Sequence, residues 1–276
     1  MTLKPALAEL KILWKRPGTW ILLGIWLIMA MMFGYVVPYI NLDNANQPSD
    51  LQNLLPSQVA ANTLVGFPFF GGVIVLILAV MTFGADYGWN VIKTLLTQRS
   101  RRIEVFGSKL LALFLSLVPF VAVDFGFSLV ASELVASAKS ASTSLPGAST
   151  LFTGMLAAWL ILAVWAALGV LLATITRGTS LAIGIGILYG LVIEGLMSNA
   201  FDGVDALSPL IKGFLRTNAY SLVRPIGDVR QLAQDNGPGA FNGPYVGGGQ
   251  ALIVLVAYLA ILSGISAYLF KTRDVA

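Results

Sequence analysis

Residues 151–174 read LFTGMLAAWLILAVWAALGVLLAT, twenty-four in a row without a charged side chain. A bilayer core of about 30 Å needs about 20 apolar residues in a helix, because a backbone N–H or C=O left unpaired in lipid costs several kcal/mol. This stretch is therefore a membrane span. Five further stretches have the same character: Trp20–Tyr39, Val65–Phe83, Val105–Val130, Leu181–Asn199 and Ala251–Phe270. Lys109, near the start of Val105–Val130, is the one basic residue in any of the six. The sequence thus predicts an all-α, polytopic membrane protein, with a single transmembrane domain of six helices over residues 1–276.

Composition agrees. Of 276 residues, 57% are hydrophobic and 11% charged, where a soluble domain carries about 25% charged residues, and the mean hydropathy is +0.82. The chain has neither Cys nor His. Disulfides, thiol chemistry, imidazole metal ligands and Ser-His or Cys-His catalytic pairs are excluded by that alone. A net charge of +4 and a pI near 9.4 reflect topology and not nucleic-acid binding, because Lys and Arg are retained on the cytoplasmic side of membranes.

With the N-terminus inside, Lys4, Lys11, Lys15, Arg16, Lys93, Arg99, Arg101, Arg102, Lys109, Arg177, Lys271 and Arg273 fall on the cytoplasmic side, twelve of the seventeen basic residues. The outer side receives Lys139 and, in the long last loop, Lys212, Arg216, Arg224 and Arg230. Both termini are therefore expected in the cytoplasm. The first span is too long for the 7–15-residue apolar core of a cleaved signal, and no small-x-small site follows Tyr39.

Three segments between the spans are amphipathic. At the N-terminus Leu3, Leu7, Leu10 and Trp14 recur at helical spacing with Lys4, Lys11 and Lys15 beside them, as in a helix lying on the inner leaflet; a plain positive-inside anchor is the blander alternative. FGADYGWNVIKTLLTQRSRR (83–102) places Trp89, Ile92 and Leu96 on one stripe beside Lys93, Thr97 and Arg101. That segment suits a helix under the membrane that docks on a soluble partner, or a solvated basic loop. In the last outer loop Ser208 is expected to cap a helix begun by Pro209, with Leu207, Leu210, Ile211, Phe214, Leu215 and Leu222 on an apolar side and Lys212 and Arg216 toward water or headgroups. Residues 237–249, GPGAFNGPYVGGG, read as a flexible tether into the last span.

This order of parts resembles an ABC-2 type permease, the membrane subunit of an ATP-binding cassette transporter. The residues that carry the resemblance are Asp86, Gly88, Lys93, Leu95, Leu96, Ser100, Arg101 and Lys109-Leu110-Leu111, followed by a Phe270, Arg273, Asp274 ending. The acidic position is more often Glu in that family, and its usual Gly-Thr pair reads Trp89-Asn90 here. The resemblance implies a coupling helix over 84–102, with Asp86, Trp89, Lys93, Arg99, Arg101 and Arg102 facing a separate ATPase that binds ATP and Mg. It also implies a second permease half, with a contact between halves through span five. Ala182, Gly186 and Gly190, at four-residue spacing, would allow close backbone approach there; packing within one chain is the alternative. No G-x-x-x-x-G-K-[ST] occurs in the sequence, so ATP hydrolysis is expected on the partner and none on this chain.

Ionisable residues inside spans are costly, about 2.5–3.5 kcal/mol at mid-membrane on insertion scales. Asp124 and Glu194 are accordingly candidates for lining a pathway, or for hydrogen bonds between helices. Pro119, and Pro68 with Gly66, Gly71 and Gly72, predict local irregularity in spans three and two. The function expected is export across the cytoplasmic membrane powered by a partner ATPase. A secondary carrier or channel is the second reading, against which the sequence offers no internal repeat, and a membrane enzyme or assembly factor is the third.

Overall fold

The computed structural model describes residues 3–42, 48–88, 102–195, 197, 207–227, 241 and 244–272. Among them every regular element is helical. Five helices among the described residues are long and apolar enough to cross a bilayer: α2 (Pro17–Asn41), α4 (Pro56–Ala85), α5 (Arg102–Ala138), α6 (Ala148–Thr176) and α10 (Gly248–Thr272). They are joined by α1 (Leu3–Lys15), the short α3 (Pro48–Leu54), α7 (Ser180–Leu188), α8 (Ser208–Gly213) and α9 (Leu215–Val223).

The stretch that announced the fold is also its centre. A helix apolar on every side has no preferred solvent face and goes inside. Accordingly α6 is packed by α4, α5, α7 and α10, with Trp165 and residues 161–164, 166 and 167 buried. Small residues let the backbones close in: a side chain at Gly169 would meet the Leu76 carbonyl oxygen at 2.7 Å. By contrast, α2 and α10 keep large apolar side chains outward, among them Ile21, Ile28, Phe33 and Ile40 on one and Ile253, Val256, Ile261 and Tyr268 on the other.

Three helices open into π-helical turns: Met32–Val36 in the first span, Phe67–Gly71 in the second, and Tyr189–Ile193 continuing α7. In the second, Pro68 has no N–H to give, and the Gly71 N–H reaches back five residues to the Gly66 carbonyl at 3.1 Å. A wide turn leaves carbonyls under-used, and neighbouring helices supply donors. Trp165 Nε1 donates to the Pro68 carbonyl at 3.2 Å and Asn62 Nδ2 to the Gly34 carbonyl at 2.9 Å. Trp165 stands edge-on to Tyr189 of the third π turn. Pro119, by contrast, sits inside the continuous α5, and near it the Phe114 carbonyl takes a hydrogen bond from Trp159 Nε1 at 3.0 Å.

Several expectations are revised. The second span begins at Pro56, and the third runs on to Ala138. The described part of the fifth comprises α7, its π turn and residues 194, 195 and 197, and the rest of Leu181–Asn199 lies outside the described residues. The packed stripe of α1 is Ala6 and Leu13 against α5, with Leu10 and Trp14 half-buried, whereas Leu7 stays exposed. Ser208 makes no cap: Leu207 holds the N-cap position of α8 without a side-chain hydrogen bond. Of the stretch read as a tether, 237–240, 242 and 243 lie outside the described residues, and the described remainder is not free. Phe241 is buried and stacked 4.6 Å from Tyr220, and the Val246 N–H donates to Ser221 Oγ at 3.0 Å, because rings set among glycines and prolines still seek apolar cover.

Candidate functional site

Three places in the bundle hold the charged groups that the sequence singled out. The first surrounds Glu194. Helix α9 is short and polar, and all its residues except Leu222 are buried. Backbone at membrane depth must be satisfied by protein, and the first N–H groups of a helix have no partner within it. Glu194 supplies one. Its carboxylate accepts from the Leu215 N–H at 2.7 Å, the Arg216 N–H at 2.9 Å and the Tyr189 hydroxyl at 2.5 Å. A negative charge at a helix N-terminus also meets the positive end of its dipole. Glu194 therefore acts as a capping group delivered from another helix.

Arg216, expected to face water or headgroups, is instead buried. Its guanidinium lies over three rings, 4.9 Å from Phe69, 5.7 Å from Tyr220 and 5.8 Å from Phe241, and feels the Glu194 charge. Three ring faces and one carboxylate stand in for the lost hydration. Burial pushes the Tyr220 phenol up against the opposing pull of Arg216, so the ring stays neutral. Lys212, one turn before, is exposed as expected.

The second place surrounds Asp124. It is fully buried in α5, and neither carboxylate oxygen has a hydrogen-bond partner among the described residues. The buried Tyr35 hydroxyl of the first π turn is set among Asn62, Thr63 and Ser128, and feels the charge of Asp124. Three spans therefore bring polar groups to one point. Sequence reasoning named Asp124 but missed its neighbours. The available signal was the recurrence of Ser116, Asp124, Ser128 and Ser132 at multiples of four along one helix face, all buried.

The third place is the end of the bundle where α4 stops and α5 starts. Phe83 lies 5.5 Å from Phe106, Phe106 lies 5.4 Å from Phe270 of α10, and the buried Lys109 ammonium stands 5.4 Å from the Phe83 ring. This aromatic floor holds both ends of the 86–102 segment. Arg102 opens α5 and is half-exposed. Trp89, Lys93, Arg99 and Arg101 lie outside the described residues, and of Asp86 only the backbone is described, in the helical turn that continues α4 to Gly88.

The small-residue stripe of α7 is used inside the chain. Ala182 is fully buried in the common core, a side chain at Gly186 would meet Leu76 at 2.6 Å, and one at Gly190 would meet Trp165 at 2.8 Å. The space at Gly186 and Gly190 is thus filled by this chain's own Leu76 and Trp165, the packing within one chain that the sequence offered as the alternative to a contact between permease halves. Among the described residues no group of three or more His, Cys, Asp or Glu side chains that could hold a metal ion occurs.

A bundle of long apolar helices, closed around a central helix and sealed by a buried capping helix, defines a multi-pass membrane protein. The chain belongs to the family of proteins of unknown function designated DUF2705, whose sequence model matches residues 21–276. No curated protein matches it.

Proposed function

We propose that this protein is the permease subunit of an ATP-binding cassette exporter, crossing the cytoplasmic membrane six times with both termini inside. The fifth crossing is α7 with its continuation beyond Glu194. On this reading α1 lies at the inner interface, its exposed Leu7 and Ile12 in the acyl boundary and its exposed Lys4, Lys11 and Lys15 toward headgroups. Helices α8 and α9 fold back from the outer side.

The observation that carries the proposal is the aromatic floor of Phe83, Phe106 and Phe270 with Lys109. A helix pushed from below transmits force only if its ends are rigidly held, and this floor ties the 86–102 segment to the second, third and last spans at once. Asp86, Trp89, Lys93, Arg99, Arg101 and Arg102 are then the groups that meet the ATPase, where ATP and Mg bind. A second permease half, homologous or identical, completes the pathway, and membrane lipid covers the outward faces of α2 and α10. Because the small residues of α7 are filled within the chain, the contact with the second half falls on another face.

A second reading, an ion-coupled carrier working alone, is favoured by one observation, the partnerless carboxylate of Asp124 in the bundle. Purification of the tagged chain from its native membrane in mild detergent separates the two. A stoichiometric ATPase that is lost on Arg101→Glu, with membrane insertion intact, supports the exporter. A chain that purifies alone and still transports in vesicles supports the carrier.

A further inference from the structure

A π turn carries one residue more than an α turn, is rare, and persists where its surroundings hold it. Returning it to α-helix rotates the chain beyond it by about 100° and shifts it by about 1.5 Å, so a π turn is an element with two discrete arrangements. Whatever holds it decides which arrangement is populated. In this chain a single side chain holds two of them.

Trp165 of the central helix α6 is fully buried. Its indole N–H donates at 3.2 Å to the carbonyl of Pro68, inside the π turn Phe67–Gly71. Its ring stands 6.5 Å from that of Tyr189, the residue that opens the π turn Tyr189–Ile193, at an angle of 65°. Both turns leave room for it. A side chain at Gly72, directly after the first, would collide with the indole nitrogen, and one at Gly190, inside the second, would meet the ring at 2.8 Å. From Trp165 both turns lead on to α9. Phe69 of the first lies 4.9 Å from the Arg216 guanidinium, and Tyr189 of the second bonds to Glu194, which accepts from the Leu215 and Arg216 N–H groups. Trp159, on the same helix, supplies the contrast. It donates to the Phe114 carbonyl at 3.0 Å and stands edge-on to the Phe114 ring, yet α5 stays α-helical there. Taking up one carbonyl does not make a π turn; Trp165 differs in being wedged between two.

We infer that Trp165 is the pin of a conformational device: its indole sets the π turns Phe67–Gly71 and Tyr189–Ile193 together, and with them the seat of α9 on Glu194. Loss of one contact frees the ring, so the other turn and the cap respond although they lie on different helices. The device is contained in one chain and works without reference to cargo or ATPase. On the exporter reading it joins the span that leads down to the 86–102 segment with the fold-back helix α9.

The test is peptide-resolved amide hydrogen exchange on the full-length chain in mild detergent at fixed pH and temperature, which reads local opening segment by segment. Trp165→Phe keeps a ring and loses the N–H. Exchange should rise at least threefold in Phe67–Gly71, and by a comparable factor in Tyr189–Ile193 and at Leu215 and Arg216. Gly190→Ala, which pushes the ring from the other side, should raise exchange in Phe67–Gly71 likewise. Trp159→Phe removes the same kind of bond and should leave both π turns and α9 at wild-type rates. A Trp165→Phe response that is absent or confined to Phe67–Gly71, or a Trp159→Phe response of the same size in these segments, overturns the inference. If Trp165→Phe does not fold, Gly190→Ala carries the test, and wild-type exchange at Phe67–Gly71 in that variant overturns it.

Discussion

Glu194 and Asp124 are both carboxylates with no exposed surface, yet they live in opposite surroundings. Around Glu194 the chain has spent a whole element: α9 presents its N-terminal N–H groups, Tyr189 its hydroxyl and Arg216 its charge. Around Asp124 no described group offers its carboxylate a hydrogen bond. The difference teaches that burial of a charge does not by itself mark a functional residue. A carboxylate whose every demand is met by its own chain is holding structure together, and one whose demand is unmet is available for something else.

The comparison breaks most directly at Glu194. Glu194→Leu should cost about 3–5 kcal/mol, because it strands the N–H groups of α9 and the Arg216 charge in the interior. It is read as a fall in the thermal midpoint of the detergent-solubilised chain, and a midpoint within a degree of wild type would show that the cap carries no weight. Next in size, Arg216→Met should cost about 2–3 kcal/mol through lost ring contacts and an uncompensated Glu194. Combined with Glu194→Leu it should cost less than the sum of the two, since the groups are coupled.

A smaller effect sharpens the contrast from the other side. Asp124→Asn should leave stability within about 1 kcal/mol of wild type or raise it, since it removes a charge without removing a bonded partner. A loss as large as that of Glu194→Leu would mean that the two carboxylates are alike after all. Tyr189→Phe should give the smallest loss, about 1 kcal/mol for one hydrogen bond, again measured as a midpoint.

Much of the fold was legible because the bilayer imposes a one-dimensional rule. Length and apolarity marked Leu151–Thr174 as a span, and its uniform apolarity also fits its place at the centre, packed by four helices. Pro68 with Gly66 and Gly71 marked an irregular turn, although the form it takes, a π turn held by Trp165, depends on a helix nearly a hundred residues away. Of the candidate residues, Asp124 and Glu194 were visible as charges in apolar runs, while their partners were not. Arg216 was misread because a basic residue on a short amphipathic segment ordinarily faces water, and only the rings of Phe69, Tyr220 and Phe241 reverse that preference.

Consecutive side chains alone fix that this protein is helical, that it belongs in a membrane, and that the stretches Trp20–Tyr39, Val65–Phe83, Val105–Val130, Leu151–Thr174 and Ala251–Phe270 lie in helices long enough to cross, because these properties are sums along the chain. Three-dimensional packing was needed to set Gly186 against Leu76 and Gly190 against Trp165, to bring Glu194 to the start of α9, and to leave Asp124 without a hydrogen-bond partner among the described residues. Those outcomes turn on which groups remote in the chain come within a few ångströms. A carboxylate in an apolar run reads the same in sequence whether a helix terminus comes to meet it or nothing does.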